Sequence, residues 1–469
     1  MDVFEAIYKR RSMRRFNREK SQAADEMKPP DGEAFQKIIK TVNKIPSPLY
    51  GIYPWRFLVV SDNRTKTKLG KFGQETASLL FGLSSEIMRG HLWYLHDDKR
   101  LQEKVRGEAA TGELWTYPSD SSFVIVPCWS RGAWGSAMLP VVTIPVPHIC
   151  SATIGMACQN MWLTTTELGY ACALNAMPTN DPRRREMVAD HLGIPHSWEF
   201  LGAFSFGVSR QPRHVGPARA PLEGVFYSEL WGNNYVRLAY RSDNLEYEDL
   251  PTMELSKAQR KQAAIGIYKE EPVEDWKIER IMDTAKWAPN PENLQHWRFV
   301  VVRKDENFKQ MMLQFNMEVV ELRNAIGLTT GGTGLTAMME SYIQYLKYPE
   351  TADTIIIPCY THSTWAEYPA TTAGMTDYIF AGATGTCIQN MWLAAIALGL
   401  GCNYDIFSVI DNRRKEILCD YLNIPRSWEP LGCLYIGYPK SKMPATSAPK
   451  LSELLFADHW GNKMFVKKS

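Results

Sequence analysis

Apolar positions recur along the chain with two periods, and each period predicts a different kind of element. In residues 35–42 and again in residues 278–285, apolar side chains return every three or four residues, which predicts an amphipathic helix in each place. Short apolar runs predict buried strands at residues 57–60, 124–126 and 201–207, and again at residues 299–302, 355–357 and 431–437. Helices and strands alternate without a regular βαβ order, so the predicted fold class is α+β.

The same elements are predicted twice because the sequence itself repeats. The segment Gln-Asn-Met-Trp-Leu occurs at residues 159–163 and again, 230 residues later, at residues 389–393. Trp-Arg-Phe at residues 55–57 returns at residues 297–299, with an offset of 242 residues. Two halves in the same order with a drifting offset predict one duplicated domain with loop insertions. An acidic segment from Ser242 to Thr252 is the expected junction, which gives domains at residues 1–242 and 253–469.

Composition excludes several classes of protein. The chain has 469 residues, of which 45% are hydrophobic and 22% charged, as in ordinary globular proteins. A formal net charge of +2 provides no basic surface for general nucleic-acid binding, so no nucleic-acid partner is expected. The most apolar stretch, residues 139–158, contains three prolines and a histidine, so no membrane span is expected. The N-terminus lacks the apolar core of a signal peptide, and a cytoplasmic location is the default expectation. Nine cysteines without a CxxC pair predict buried free thiols, and nine scattered histidines predict no metal site.

A basic segment ends the first helix. Residues 10–16 read Arg-Arg-Ser-Met-Arg-Arg-Phe, with four arginines around a serine. Guanidinium groups bind phosphate in a bidentate manner and a hydroxyl adds a donor, so the segment could hold a phosphate. A solvated basic helix end that complements the helix dipole explains the same residues. Both interpretations stay open on this segment alone.

A second motif lies in the other half. Residues 288–299 read Ala-Pro-Asn-Pro-Glu-Asn-Leu-Gln-His-Trp-Arg-Phe, between a predicted helix and a predicted strand. The two motifs together resemble the nitroreductase superfamily, in which a helix ending in Arg-Arg-Ser-x-Arg-x-Phe precedes a Pro-Ser-Ser-x-Asn-x-Gln-Pro-Trp loop and a strand. The family's later elements are also present, because residues 398–401 read Leu-Gly-Leu-Gly and residues 219–222 read Arg-Ala-Pro-Leu.

This resemblance implies a fold, a cofactor and a shared site. Members are α+β subunits, with mixed and mostly antiparallel sheets flanked by helices, which pair as obligate dimers and hold FMN at the interface. One subunit supplies the arginine–serine segment and a C-terminal basic residue, and the other supplies the loop. A tandem repeat would therefore fold as a pseudo-dimer within one chain, with further oligomerisation left open. The implied cofactor-binding residues are Arg10, Arg11, Ser12, Arg14 and Arg219, the backbone amides near Ala176 and Met177, and Pro289, Asn290, Pro291, Asn293 and Gln295.

The two halves have diverged in complementary ways. Gln262, Ala263, Ala264 and Gly266 stand opposite Arg10, Arg11, Ser12 and Arg14, and Ala448 stands opposite Arg219. In the first half, Gly51 and Tyr53 replace the Asn and Gln of the loop. Since each site takes its arginines from one half and its loop from the other, one complete site and one incomplete site are predicted.

The chemistry expected of the complete site follows from charge. Arg10, Ser12 and Arg219 would hold the phosphate, with Arg11 either helping or turned outward. The resemblance implies that Arg14 lies beside the flavin pyrimidine, where it would act as the catalytic residue, since a cation there stabilises the charge of the reduced ring. The predicted activity is transfer of hydride or electrons from a reductant, NAD(P)H by analogy, to a small planar organic acceptor. The alternative is a non-catalytic flavin-binding or scaffolding protein with degenerate sites.

Overall fold

A computed structural model of the chain describes ten segments that together form two similar α+β halves. The described residues are 1–45, 53–82, 107–108, 111–130, 146–210, 216–235, 251–330, 343–361, 373–443 and 449–465. The α+β class predicted from the sequence is confirmed. Of the residues singled out above, Gly51, Ala448 and residues 242–250 of the expected junction lie outside the described segments.

The first half contains six strands and seven α-helices among its described residues. The strands are β1 (Trp55–Val60), β2 (Phe123–Ser130), β3 (Ala171–Asn175), β4 (Trp198–Phe200), β5 (Ala203–Gly207) and β6 (Phe226–Ser228). The helices are α1 (Val3–Lys9), α2 (Arg18–Ala23), α3 (Glu33–Ile39), α4 (Asn63–Gly82), α5 (Val146–Glu167), α6 (Met177–Asn180) and α7 (Pro182–Leu192).

The second half repeats this order with its own additions. Its described strands are β7 (Ile265–Tyr268), β8 (Trp297–Val302), β9 (Thr354–Thr361), β10 (Gly401–Asp405), β11 (Trp428–Pro430), β12 (Cys433–Gly437), β13 (Pro439–Lys442) and β14 (Leu455–Ala457). Its described helices are α8 (Leu255–Lys261), α9 (Asp275–Lys286), α10 (Glu306–Thr330), α11 (Tyr348–Thr351), α12 (Ala373–Ala397), α13 (Asn412–Leu422) and α14 (Leu451–Leu454).

The two main sheets have the same strand order, and each contains one strand that comes from the other half. The first sheet runs β14-β1-β2-β5-β3 with β4 beside β2, and the second runs β6-β8-β9-β12-β10 with β11 beside β9. Strand β14 pairs in parallel with β1, and β6 pairs in parallel with β8, whereas the other neighbours in these sheets are antiparallel. Each half therefore completes the hydrogen-bonded edge of the other, so neither sheet is whole without both halves.

The long helices α5 and α12 pack against each other in the middle of the molecule. A Cβ atom at Gly155 would lie 1.9 Å from the carbonyl oxygen of Gly382, so the backbones are in direct contact. The repeated Gln-Asn pair bonds across this contact: Gln159 Nε2 donates to Asn390 Oδ1 at 2.7 Å, and Gln389 Nε2 donates to Asn160 Oδ1 at 2.8 Å. These two bonds pair buried amides across the contact, which gives the same polar pair a role on both helices.

Two further expectations can be compared with the fold. All nine cysteines are buried, and none of them forms a disulfide bond. Residues 377–397, within α12, are long and apolar enough to cross a membrane, but the most apolar 18 residues of this stretch are buried inside the protein. This segment therefore serves as the core helix of a globular fold.

Candidate flavin site

Arg10 occupies the C-terminal cap of α1 and is buried at the boundary between the halves. Its side chain is 2% exposed, and its Nη2 atom donates to the carbonyl oxygen of Trp287 at 3.2 Å. The guanidinium carbon lies 5.0 Å from the ring centroid of Trp162. The Nε and Nη1 atoms are buried without a hydrogen-bond partner in the structure. A buried cation with two unused donors is costly unless an anion completes its coordination.

Positive charge accumulates around Arg10. Burial is the largest cause that holds its pKa well below the ordinary arginine value, and the charges of Arg219, Arg11 and Arg14 lower it further. Burial and the charge of Arg11 also lower the pKa of Arg219, to about 10. Three neighbouring guanidinium groups, two from residues 11–14 and one from Arg219, thus act on the Arg10 charge, which favours a bound anion.

Arg11, Ser12 and Arg14 follow Arg10 in the sequence and are all partly exposed. Arg11 is half-buried, and its Nη1 donates to the carbonyl oxygens of Tyr8 at 2.6 Å and Arg10 at 2.7 Å. It therefore bonds the end of its own helix while keeping its charge near Arg10. Ser12 and Arg14 are also partly exposed. Arg14 lies beside the buried phenol of Tyr117, where its charge opposes the rise in the Tyr117 pKa that burial causes.

The loop after α9 brings the second half to the same place. Asn293 and Gln295 have positive φ angles of 61° and 48°, a left-handed backbone that asparagine tolerates better than most residues. The Asn290 side chain supports this turn, since its Oδ1 accepts from the Gln295 amide at 3.0 Å. Pro289 is buried, and its carbonyl oxygen accepts from Thr386 Oγ1 of α12 at 3.4 Å. Pro291 begins the short 3-10 turn Pro291–Asn293.

The side chains of this loop form hydrogen bonds with the segment that carries Arg219. Asn293 Oδ1 accepts from Arg219 Nη1 at 2.6 Å, and Asn293 Nδ2 donates to the carbonyl oxygen of Ala218 at 3.2 Å. Gln295 Oε1 accepts from the amide of Ala220 at 2.8 Å. The structure therefore brings Arg10, Arg219 and the loop together across the two halves. It also gives both amide side chains intrachain partners, which the sequence motif did not predict.

The amides near Ala176 and Met177 differ from expectation in one respect. The Met177 amide donates to Asn175 Oδ1 at 3.1 Å, so it already has a partner at the start of α6. Ala176 is the N-cap residue of that helix, with φ −86° and ψ −9°. Of the two, the Ala176 amide remains the candidate donor.

The family model that matches this chain decides its classification. The nitroreductase family model matches residues 148–208 and 264–438, about half of the chain and parts of both halves. The chain belongs to the nitroreductase family. It is accordingly a flavin-dependent oxidoreductase.

Solved structures with similar folds each cover less than half of this nitroreductase-family chain. A BluB-like flavoprotein from Clostridium difficile 630 is 18% identical, with 43% of this chain and 97% of that protein aligned at a TM-score of 0.33. A nitroreductase with bound FMN from Desulfitobacterium hafniense DCB-2 is 17% identical, with 47% and 93% aligned at a TM-score of 0.31. An oxidised iodotyrosine deiodinase bound to FMN and 3-iodo-L-tyrosine is 19% identical, with 47% and 96% aligned at a TM-score of 0.31. The classification rests on the family model and not on these likenesses.

In the second half of this nitroreductase-family chain, the positions that correspond to Arg10 and Arg14 are surrounded by other side chains. Gln262 caps α8 as Arg10 caps α1, but its amide exchanges hydrogen bonds of 2.9 and 3.0 Å with Gln389. A Cβ atom at Gly266, opposite Arg14, would lie 2.9 Å from Tyr345. An arginine at Gly266 would therefore displace Tyr345, and Gln262 is already used in the interface between α8 and α12.

Trp287 and Trp162 are site residues that the motifs did not identify. Trp287 receives the Arg10 hydrogen bond and also lies 5.8 Å from the Arg11 guanidinium. The Trp162 ring packs against the Arg10 guanidinium, and its Nε1 donates to the Arg11 carbonyl oxygen at 3.1 Å. Both lie next to motifs, since Trp287 precedes residues 288–299 and Trp162 belongs to the repeated Gln-Asn-Met-Trp-Leu segment. Their position beside these motifs was the one feature of the sequence that could have identified them as site residues.

Proposed function

We propose that the chain is an intrachain pseudo-dimer that holds one FMN, between the arginines of residues 1–242 and the loop of residues 253–469. The observation that carries this proposal is the buried guanidinium of Arg10, with two unpartnered nitrogen atoms and three neighbouring arginines. The residues present fit a flavin phosphate, because a dianion would satisfy those donors and offset their mutual repulsion. A cytoplasmic location belongs to the same proposal.

The phosphate end of the site would be formed by Arg10, Ser12 and Arg219. Arg219 is held by Asn293 at 2.6 Å, and its Nε atom is buried without a partner in the structure. We assign Asn293 and Gln295 a positioning role, because they fix residues 218–220 and thereby the Arg219 charge. Pro289, Asn290 and Pro291 would shape the loop that covers the flavin.

When bound, FMN would accept hydride from a reductant such as NAD(P)H and pass reducing equivalents to an acceptor. Arg14 would provide fixed positive charge at the edge of the ring, and the Ala176 amide would provide a donor. A fixed cation favours the reduced, more negative state of the ring. The acceptor would be a small planar, electron-poor organic molecule, since such a molecule stacks on an exposed flavin.

The single-site arrangement follows from the contrast between the halves. Gln262 and Gly266 replace two of the arginines, and their surroundings are occupied by Gln389 and Tyr345. A second flavin would therefore meet neither charge nor space at these two positions.

Stopped-flow spectroscopy of the FMN-loaded chain tests this function. NADH or NADPH should bleach the flavin, and a quinone or nitroarene should restore its colour in a second, separable reaction. Arg14→Ala should slow the first reaction and lower the flavin potential while leaving acceptor affinity largely unchanged. A purified protein that takes up no FMN would overturn the proposal and favour a scaffolding role. Normal flavin reduction in Arg14→Ala would overturn the role given to that residue.

A further inference from the structure

A large basic cleft lies at the boundary between the halves, away from Arg10. Its volume is about 1000 Å³, at the upper end of the range for small-molecule sites. It is formed by α3 and the turn that follows, by the ends of α5 and α8, and by residues 450–452 together with Phe465. Its lining includes five cations: Lys37, Lys40, Lys44, Arg260 and Lys450.

The repeat shows that this cleft is a departure from the other half. The register that aligns residues 35–42 with residues 278–285 places Lys37, Lys40 and Lys44 where the second half has Arg280, Asp283 and Trp287. Arg260, the penultimate residue of α8, likewise corresponds to Tyr8, the penultimate residue of α1. A set of residues with mixed charge has thus been replaced by one with a single sign of charge.

Around α9 these corresponding residues, Tyr8 from the first half and the others from the second, fill the space. Tyr8 donates to Asp283 Oδ2 at 2.8 Å, and its ring meets that of Trp287 edge-on at 5.3 Å. The Arg280 guanidinium lies 5.0 Å from the Tyr8 ring. Aromatic packing and opposite charges therefore close this region, whereas the equivalent region beside α3 is open.

The charges in the cleft are poorly compensated by its own lining. Among the described residues of the lining Glu167 is the acidic one, and its Oε1 already accepts from the N-terminal ammonium at 3.2 Å. Lys37 pairs with Glu33 on the exposed side of α3 at 2.7 Å. Lys40, Lys44, Arg260 and Lys450 then line one cleft, where like charges repel and an anion would be attracted.

An aromatic ring lies in the same cleft. Phe465 is 72% exposed, although large apolar side chains are normally buried. A phenyl ring beside several cations matches a ligand that combines a planar ring with a phosphate.

We infer that this cleft binds a phosphate-bearing small molecule with a planar ring, of the nucleoside phosphate class. The cations would hold the phosphate and Phe465 would stack on the ring. The site is distinct from the proposed flavin site, because its described lining residues include none of Arg10, Arg14 and Arg219. This inference does not depend on which acceptor the flavin reduces.

Calorimetric titration of the FMN-loaded full chain tests the inference with AMP, inorganic pyrophosphate and uncharged adenosine as probes. AMP and pyrophosphate should bind, and adenosine should bind at least about tenfold more weakly because it lacks the charge-assisted contacts. Lys40→Glu and the exposed Lys450→Glu should each weaken both anions about tenfold or more. Phe465→Ala should weaken AMP and leave pyrophosphate unchanged. Lys20→Glu, on the exposed face of α2, is the charge-matched control and should have no effect.

Flavin absorbance, recorded during each titration, separates this cleft from the Arg10 site. Unchanged absorbance together with the expected losses would support the inference. Equal binding of AMP and adenosine, equal effects of Lys20→Glu and Lys40→Glu, or absence of any anion binding would overturn it. Uptake of a second FMN that is lost in Lys40→Glu would also overturn it, since the cleft would then be a flavin site.

Discussion

Replacing Arg10 with methionine should move the stability of the flavin-free protein and its affinity for FMN in opposite directions. The substitution removes the 3.2 Å hydrogen bond to Trp287, a loss of about 1 kcal/mol. It also removes the contact with Trp162, a loss of about 0.5 to 1 kcal/mol. The substitution also removes a favourable target for FMN that is unfavourable without it: a buried cation with two unsatisfied donors and three arginines nearby. Burying such a cation costs several kcal/mol, and this cost disappears in the variant. We expect the free energy of unfolding without FMN to rise by about 1 to 2 kcal/mol.

The same substitution should weaken FMN binding, since a hydrogen bond to a charged phosphate contributes about 1.5 to 3 kcal/mol. That range corresponds to an increase in Kd of about 10- to 150-fold. Urea unfolding of the flavin-free protein gives the first quantity, and quenching of flavin fluorescence during titration gives the second.

Gln262→Met is the matched control at the corresponding helix cap. It removes the hydrogen bonds of 2.9 and 3.0 Å with Gln389 and should destabilise the flavin-free protein by about 1 to 2 kcal/mol. Its affinity for FMN should not change. The reasoning fails if Arg10→Met destabilises the flavin-free protein while leaving the Kd for FMN unaltered.

Three further outcomes are expected. Asn293→Ala should weaken FMN binding several-fold by releasing Arg219, and fluorescence titration should show Asn293→Asp, which keeps the acceptor for Arg219, to be milder. Residues 1–242 or 253–469 expressed alone should be insoluble or flavin-free, because strands β6 and β14 each complete the other half's sheet; a soluble single half that binds FMN tightly would contradict this. Burial raises the pKa of Asp405 from 3.8 to about 6, so the native state holds a proton that the unfolded state releases, and stability should fall as pH rises from about 4 to 6. Asp405→Asn should abolish that fall and raise the free energy of unfolding at pH 7, measured in urea, by up to about 3 kcal/mol. An asparagine can make the same hydrogen bond, because Asn175 in the first half accepts from the Met177 amide just as Asp405 accepts from the Phe407 amide.

Elements with a clear apolar pattern could be predicted from the sequence. Helices α3 and α9 and strands β1, β2, β8 and β9 lie where apolar periodicity or apolar runs placed them. The convergence of Arg10 with the loop around Asn293 also followed, although only because two motifs in different halves resembled one family pattern. The sequence was sufficient to predict an element when the residues that carry the apolar pattern are the same residues that form the helix or strand.

Features that depend on distant contacts could not be predicted. Strands β6 and β14 are three residues long, too short for a periodic signal, and their pairing depends on the other half. The intrachain bonds of Asn293 and Gln295 depend on residues 218–220 approaching the loop from the other half. The closure around Gly266 results from Tyr345, which is about 80 residues away along the chain. In each case the partner comes from packing, which composition and spacing do not encode.

The number of FMN molecules per chain tests the central claim most directly. Purified protein is saturated with FMN, freed of excess ligand and denatured, and the released flavin is measured against the protein concentration. The complementary loss of arginines around Gln262 and Gly266 and their retention around Arg10 predict one FMN per chain, falling towards zero in Arg10→Met at limiting flavin. Two FMN molecules per chain, or unchanged occupancy in Arg10→Met, would contradict the account.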